Sequence, residues 1–428
     1  MLFKNITILD EKNEIKENMY VGVEGKKITY VGENEPQKSY GEEYDGAGKL
    51  LMPAFYNAHA HSPMTLMRGY GENLSLQDWL NTRIFPFEDH LDSEAVYNAT
   101  LLAMAESLRF GIVSSSDMYY FCADMARAVE ESGAKANISR AISQFEEGSI
   151  KETPRFKEAE KFAKEWHGVA DGRILVDASI HAEYTNTLTS MAEVSEYAAK
   201  NDIIMHVHIS ETKQEHEECK KKYGKTPTQL LNELGAFETP TVAAHCIWVE
   251  DSDVEIFKEK GVSVATCPVS NLKLASGICN VRKFLENGIN VAIGTDSVAS
   301  NNSLNFIEEM KFFALLGKIK TGDPTVITPD QTIHAATRAG AIAQGRTDAG
   351  ILAEGMAADL IVIDINQPHM RPVHDLKNNL VYSASGSDII LTMCDGKVLY
   401  RDGIFLTIDV EKALAETEKS CARILAQL

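Results

Sequence analysis

The stretch IIMHVHISETKQEHEECKKKYGKTPTQLLNELGAFETPTVAAHC (203–246) contains two short apolar runs, 203–208 and 241–246, with a polar, helix-like segment between them. Run, helical segment and run read as one strand–helix–strand unit, and the two runs finish in His208 and in His245-Cys246. The same rhythm extends outward in both directions, with further apolar or β-branched runs near 51–57, 112–117, 135–140, 174–180, 262–266 and 290–295. Helical stretches of roughly 10–20 residues separate them, as repeated βα units require. Eight parallel strands joined in this way close on themselves, so the expected fold is an α/β barrel of the (β/α)8 TIM type.

The two ends of the chain have a different pattern. Residues 2–32 alternate apolar and polar positions, with turn signals at Glu11–Asn13 and Glu24–Lys26. ADLIVID (358–364) and IILTMCDGKVLY (389–400) return to that alternation, the second around an Asp-Gly turn. Strands from both ends are therefore expected to pair in one small, discontinuous β-sandwich. The expected organisation is residues 1–52 for its first part, 53–348 for the barrel, and 349–428 for its second part with a terminal helix.

Composition narrows the function classes. The 428 residues are 44% hydrophobic and 24% charged, a globular balance with enough apolar mass for a large core. A formal net charge of −20 repels phosphate backbones and anionic lipid, which argues against nucleic acid and membrane as partners. No run approaches the ~20 apolar residues of a bilayer span, and the start has no apolar segment after a basic one. Seven cysteines are dispersed without a CxxC pair, so a reducing, cytoplasmic setting is expected rather than a disulfide framework. Segments 304–316 and 328–340 read as amphipathic helices. Their apolar stripes would serve a core or a homo-oligomer contact equally well, so the oligomeric state stays open.

Chemistry in such a barrel gathers at the C-terminal ends of the strands. Four of the eight runs end in groups that can bind metal: Asn57-Ala58-His59-Ala60-His61, His206-Val207-His208, Ala244-His245-Cys246 and Gly294-Thr295-Asp296. Side chains on a strand repeat with period 2, so His59 and His61 share a face and can reach one ion. His208 and Asp296 complete a site for a divalent transition metal with a position open to water. A single histidine at a strand end is as readily a satisfied polar residue as a ligand; agreement across four strands is what carries the reading. His206 is read as packing behind the ligands.

Glu211 follows His208 by three residues, at the rim, where a carboxylate can take a proton from water and pass it to a substrate nitrogen. An acid in the first turn of the next helix is the plain alternative, and both can hold. His245 can stabilise a developing oxygen or act as a fifth ligand. Trp79, Phe85 and Phe87 lie on the segment after the first barrel run, which can cover the mouth. Trp79 is the candidate for substrate contact, with loop packing as the alternative.

The segments NAHAHSPMTLMRGYGENLSLQDWL (57–80), HVHISET (206–212), AAHCIWV (243–249), CPVSNLKLASGI (267–278), GTDSVASNNSLN (294–305) and EGMAADLIVID (354–364) together resemble the amidohydrolase superfamily. Within it they are most similar to the 5′-methylthioadenosine/S-adenosylhomocysteine deaminases. The resemblance implies one divalent ion per chain, zinc first and iron second, held by His59, His61, His208 and Asp296. It implies proton transfer to the ring nitrogen by Glu211 and activation of water by His245 and Asp296. It also implies a small-molecule nucleoside substrate, with Glu88 of FPFEDH (85–90) on the ribose hydroxyls and His181 of SIHAEY (179–184) in contact with substrate. Arg140, ending the third run, is a candidate partner for the amino-acid carboxylate of an S-adenosylhomocysteine-like tail, which suits a guanidinium fork. The implied activity is exchange of the exocyclic amino group of such adenine nucleosides, adenosine included, for oxygen.

Two departures bear on the tail. Glu183 stands where the family often carries proline, and between Lys151 and Arg155 only Arg155 offers a second carboxylate-binding arginine. Three other readings stay in view. One is the same site acting on guanine, cytosine or a triazine. Another is a two-ion hydrolase of cyclic amides, against which ILVDASI (174–180) lacks the strand-end lysine that would bridge two ions. The third is a metal-free scaffold, against which every candidate ligand is retained.

Overall fold

The structure, a computed structural model, describes residues Met1–Leu428. Its centre is a ring of eight parallel strands, β6 (Phe55–Ala60), β7 (Ile112–Tyr119), β8 (Lys135–Arg140), β9 (Ile174–Ile180), β10 (Met205–Ile209), β11 (Thr241–His245), β12 (Ser263–Thr266) and β13 (Val291–Ile293). Each pairs with its neighbours in chain order. Helices on the connections cover the outside, so the strands are buried on both faces and read as nearly unbroken apolar or small-residue runs. The ring closes through a bridge between Ala60 and Asp296, where the Asp296 N–H donates to the His59 carbonyl at 3.0 Å. Asn57 strengthens the closure: its Oδ1 accepts from the Thr295 N–H at 3.0 Å and its Nδ2 donates to Thr295 Oγ1 at 2.7 Å. The segments that carry candidate ligands are thus the segments that seal the barrel.

Both chain ends enter a second, mixed sheet. Its strands are β1 (Leu2–Leu9), β2 (Ile15–Glu24), β3 (Lys27–Gly32), β4 (Glu43–Asp45), β5 (Lys49–Pro53), β14 (Leu360–Asp364), β15 (Ile389–Cys394), β16 (Lys397–Arg401) and β17 (Ile404–Phe405). The order is β17-β16-β15-β14-β5-β1-β2-β3, with β4 on β1, and the two ends meet where β14 pairs antiparallel with β5. Alternation gives the sheet an apolar core of its own, including Phe3, Ile6, Val21, Leu360 and Met393. Asp395 and Gly396 join β15 to β16 with φ of +46° and +73°, the pair of left-handed residues that a two-residue hairpin turn demands.

Two expected elements are divided. The run 51–57 crosses from one sheet to the other: β5 stops at Pro53, which has no N–H to extend a ladder, and β6 starts at Phe55. Segment 328–340 forms helices Pro329–Ala336 and Arg338–Ala343 on either side of Thr337, whose ψ of −86° breaks the helical path. Segment 304–316 forms part of the helix Phe306–Thr321, and the terminal helix is Val410–Leu425. At the foot of β8, buried Lys135 pairs with Asp359 at 2.5 Å and Asp395 at 2.6 Å, so a compensated charge cluster ties barrel to end sheet. No helix is long and apolar enough to cross a membrane.

Candidate active site

Period-2 alternation in β6 brings His59 and His61 to the barrel mouth, His208 and His245 arrive at the ends of β10 and β11, and Asp296 lies just past β13. His208 Nε2 is 3.4 Å from His61 Nε2, and Asp296 Oδ1 is 3.3 Å from His61 Nε2 and 3.7 Å from His59 Nε2. The donor atoms of His59, His61 and Asp296 lie within 4.8 Å of one another, as do those of His59, His208 and His245. The four residues expected as ligands are thus brought together, with His245 near enough to be a fifth.

Every ring is oriented from behind through Nδ1. His59 bonds His206 Nε2 at 2.9 Å, His61 the Met118 carbonyl at 2.5 Å, His208 the His181 carbonyl at 2.6 Å, and His245 the Asn271 Oδ1 at 2.9 Å. A carbonyl partner requires the hydrogen on Nδ1, which leaves the Nε2 lone pair facing the mouth. Burial, then the neighbouring histidines, hold His59 and His208 well below the usual imidazole range, so both are in the neutral, ligating form. His59 Nε2 is buried without a hydrogen-bond partner, an orphan that a cation would satisfy. This set of nitrogen and oxygen donors fits a divalent metal ion. His206 lies behind His59, where burial takes it to about 3.

The surrounding backbone is shaped for this convergence. Asp296 Oδ2 accepts from the hydroxyls of Ser270 at 2.6 Å and Ser300 at 3.0 Å, while Oδ1 accepts from the Ser297 N–H at 2.7 Å. Ser210, His245, Cys246 and Asp296 all have positive φ, between +47° and +69°. Each such non-glycine residue costs roughly 1–3 kcal/mol, and such strain concentrates at functional sites. At Gly294 a Cβ would sit 2.8 Å from His59 Cβ and 3.0 Å from Cys267 Sγ, so glycine lets β13 approach β6.

Glu211 lies between β10 and the helix Lys213–Tyr223, whose cap is Thr212. Glu215, in the first turn, accepts from the N–H groups of Ser210 and Glu211, both at 2.7 Å, and so fixes the backbone that carries Glu211. Glu211 Oε2 is 3.8 Å from His245 Nε2. Burial raises the Glu211 carboxyl above its ordinary range, with His245 opposing. A carboxyl so placed, within reach of the mouth, can accept a proton and pass it on.

An inner cavity of about 70 Å³ lies over this cluster. Leu76, Trp79, Leu80 and Phe85 form its apolar wall, and Glu88, His181 and Tyr184 face it from the polar side. Phe87 is instead buried against Tyr70, with ring centroids 5.6 Å apart. Tyr119 donates to Glu88 Oε1 at 2.6 Å, and burial raises the Glu88 carboxyl to about 7. His181 bonds Thr185 Oγ1 at 3.1 Å through Nδ1, and burial lowers it to about 4, leaving it neutral.

An outer cavity of about 490 Å³ adjoins the inner one, sharing Phe85, Glu88, Tyr120 and Ala141. Arg140 stands in this outer wall rather than the inner pocket, 4.7 Å over the Tyr120 ring, and Arg155 lines the same cavity. Glu183 lines neither cavity: it is buried beside Cys219, where burial raises it to about 7. Sequence reasoning missed Tyr119, Tyr184 and Asn271. The strand-end rule applied to β7, which finishes DMY, would have flagged Tyr119.

Comparison with known proteins agrees with this geometry. The model of the amidohydrolase family matches residues 50–399. A 5-methylthioadenosine/S-adenosylhomocysteine deaminase of Caldanaerobacter subterraneus is 41% identical over 427 residues, covering 99% of this chain and 98% of that protein. A 5′-deoxyadenosine deaminase of Methanosarcina mazei is 39% identical over 431 residues, covering 100% of this chain and 99% of its own. Among solved structures, an adenosine deaminase from Xanthomonas campestris with bound zinc superposes with a TM-score of 0.93 at 30% identity, over 99% of this chain and 98% of the other. Barrel, converging donors, and sequence likeness along the whole length lead to one conclusion: this chain belongs to the amidohydrolase family.

Proposed function

We propose that this protein is a hydrolytic deaminase of adenine nucleosides with a 5′-thioether or 5′-deoxy end, releasing ammonia and the inosine analogue. The observation that carries it is a set of inward Nε2 atoms and one aspartate oxygen beside a buried carboxyl, Glu211, in a pocket whose far wall holds Glu88. The names of the full-length relatives support the substrate class. His59, His61, His208 and Asp296 would hold one divalent ion, zinc first and iron second, with His245 as the adjacent donor. When bound, the ion supplies a Lewis acid that makes water nucleophilic at neutral pH.

The remaining work falls to side chains of this chain. Trp79, Phe85 and Leu76 offer apolar surface to the purine, and the free Glu88 oxygen, opposite the one held by Tyr119, accepts from ribose hydroxyls. Neutral His181 meets the ring edge through Nε2, the nitrogen that Thr185 leaves free. Glu211 takes a proton from the attacking water and delivers it to ring nitrogen N1 as the oxygen bonds to C6. His245 hydrogen-bonds that oxygen as charge develops. The second water proton goes to the amino group, the C6–N bond breaks, and ammonia leaves. Arg140, paired with Glu158, and Arg155 are the guanidiniums of the outer cavity that could meet the carboxylate of an amino-acid tail.

The test is ammonia release from 5′-methylthioadenosine, 5′-deoxyadenosine, S-adenosylhomocysteine, adenosine, guanine and cytosine, with and without a chelator. Release from the adenine nucleosides, lost on chelation and restored by zinc, is expected. A response confined to guanine or cytosine would move the activity to another ring.

A further inference from the structure

We infer that Glu158 sets the preference for the substrate's 5′ tail by acting as a built-in counter-ion to Arg140, an inference that rests on the nucleoside reading above. Glu158 lies on the helix Pro154–Trp166, one turn after Arg155, and its Oε2 accepts from Arg140 Nε at 2.8 Å. The Arg140 Nη1 donates to the Ala141 carbonyl at 2.6 Å. Arginine holds a carboxylate best through two parallel N–H bonds, and Nε–H is half of its side-on fork. While Glu158 occupies Nε, that fork is closed to any carboxylate arriving with a substrate.

The charge balance of the cavity points the same way. Its lining carries two guanidiniums, Arg140 and Arg155, against three carboxyl groups, Glu88, Asp89 and Glu158. Arg155 donates to the Ser143 carbonyl and has no acidic partner, so it is the one uncompensated cation in the wall. A methylthio or 5′-deoxy end enters such a space without electrostatic cost. The carboxylate of an S-adenosylhomocysteine tail must displace Glu158 or make do with Arg155 and the remaining Arg140 donors. Displacement is feasible, because the Glu158 side chain is 44% exposed whereas that of Arg140 is 14% exposed. Partly exposed ion pairs are weak, so Glu158 biases selection rather than blocking the carboxylated tail, with an effect of about 5-fold.

The experiment compares kcat/KM for 5′-methylthioadenosine, 5′-deoxyadenosine and S-adenosylhomocysteine in the wild type, Glu158→Gln and Glu158→Ala. S-adenosylhomocysteine is also titrated as a competitive inhibitor of methylthioadenosine turnover. Both variants are expected to raise the S-adenosylhomocysteine to methylthioadenosine ratio about 5-fold, through KM and the inhibition constant, and to leave the ratio between the two uncharged-tail substrates unmoved. Added salt shrinks the difference between wild type and variants, as screening of an exposed pair requires. A tail ratio unchanged within about 2-fold would overturn the inference, and so would a fall, which would instead assign Glu158 to the tail ammonium. A wild type that deaminates methylthioadenosine while the variants leave the ratio alone removes the role of Glu158 only. A wild type inactive on every adenine nucleoside removes the nucleoside reading and this inference with it.

Discussion

Glu88 is the residue whose ionisation is most exposed to measurement. Burial in the pocket wall raises its carboxyl from 4.5 to about 7, and Tyr119 already occupies one oxygen. A raised acid is protonated below its shifted value and ionised above it, so the free oxygen becomes a full acceptor for ribose hydroxyls only as pH climbs through about 7. KM for the nucleoside is therefore expected to fall across that window, and Glu88→Gln to raise KM and remove its pH dependence. A wild-type KM that is flat from pH 6 to 8, or a variant that keeps the slope, would refute the assignment. Many individual residues were legible because their chemistry and spacing are local: HxH puts two imidazoles on one face, and Glu211 trails His208 by three. The strand-end position of Tyr119 was legible, but its hold on Glu88 and that of Asn271 on His245 were not, because each depends on a neighbour 31 or 26 positions away. Arg140 was legible as a strand-end cation, but its partner Glu158 lies on a different element.

At the scale of elements, the closure between β6 and β13 governs how well the site is held. The Ala60–Asp296 bridge, the Asn57–Thr295 clamp and the contact at Gly294 occupy the same few residues as His59, His61 and Asp296. Gly294→Ala forces a methyl to within 2.8 Å of His59 Cβ, against a neighbour on a rigid strand. Overpacking of this kind costs about 1–3 kcal/mol. The expected outcome is a lower thermal midpoint together with weaker retention of an added divalent ion on dialysis; unchanged values for both would show that the strands are free to part. The barrel strands were readable as elements because parallel strands buried on both faces leave unbroken apolar runs. Run 51–57 was misread as one strand because apolar patterning does not distinguish two sheets meeting at Pro53. The break at Thr337 left no pattern for a similar reason: the buried residues Thr332, Ala336, Ala339, Gly340 and Ala343 keep a helical spacing across it.

Taken whole, the molecule joins one barrel to one sheet built from both ends of the chain, with the buried Lys135–Asp359–Asp395 cluster at the junction. We propose residues 1–52 and 349–428 as one unit and 53–348 as the catalytic one. Alternation at both termini made the shared sheet legible, while the Lys135 cluster was not, since Lys135 lies 224 residues from Asp359 and farther still from Asp395. We propose that His59, His61, His208 and Asp296 together gather one cation. Elemental analysis of the purified protein, with His59→Ala and Asp296→Ala variants alongside, tests this most directly. One divalent ion per chain, lost in both variants, is the predicted result; two ions per chain, or variants that retain the wild-type content, would contradict it.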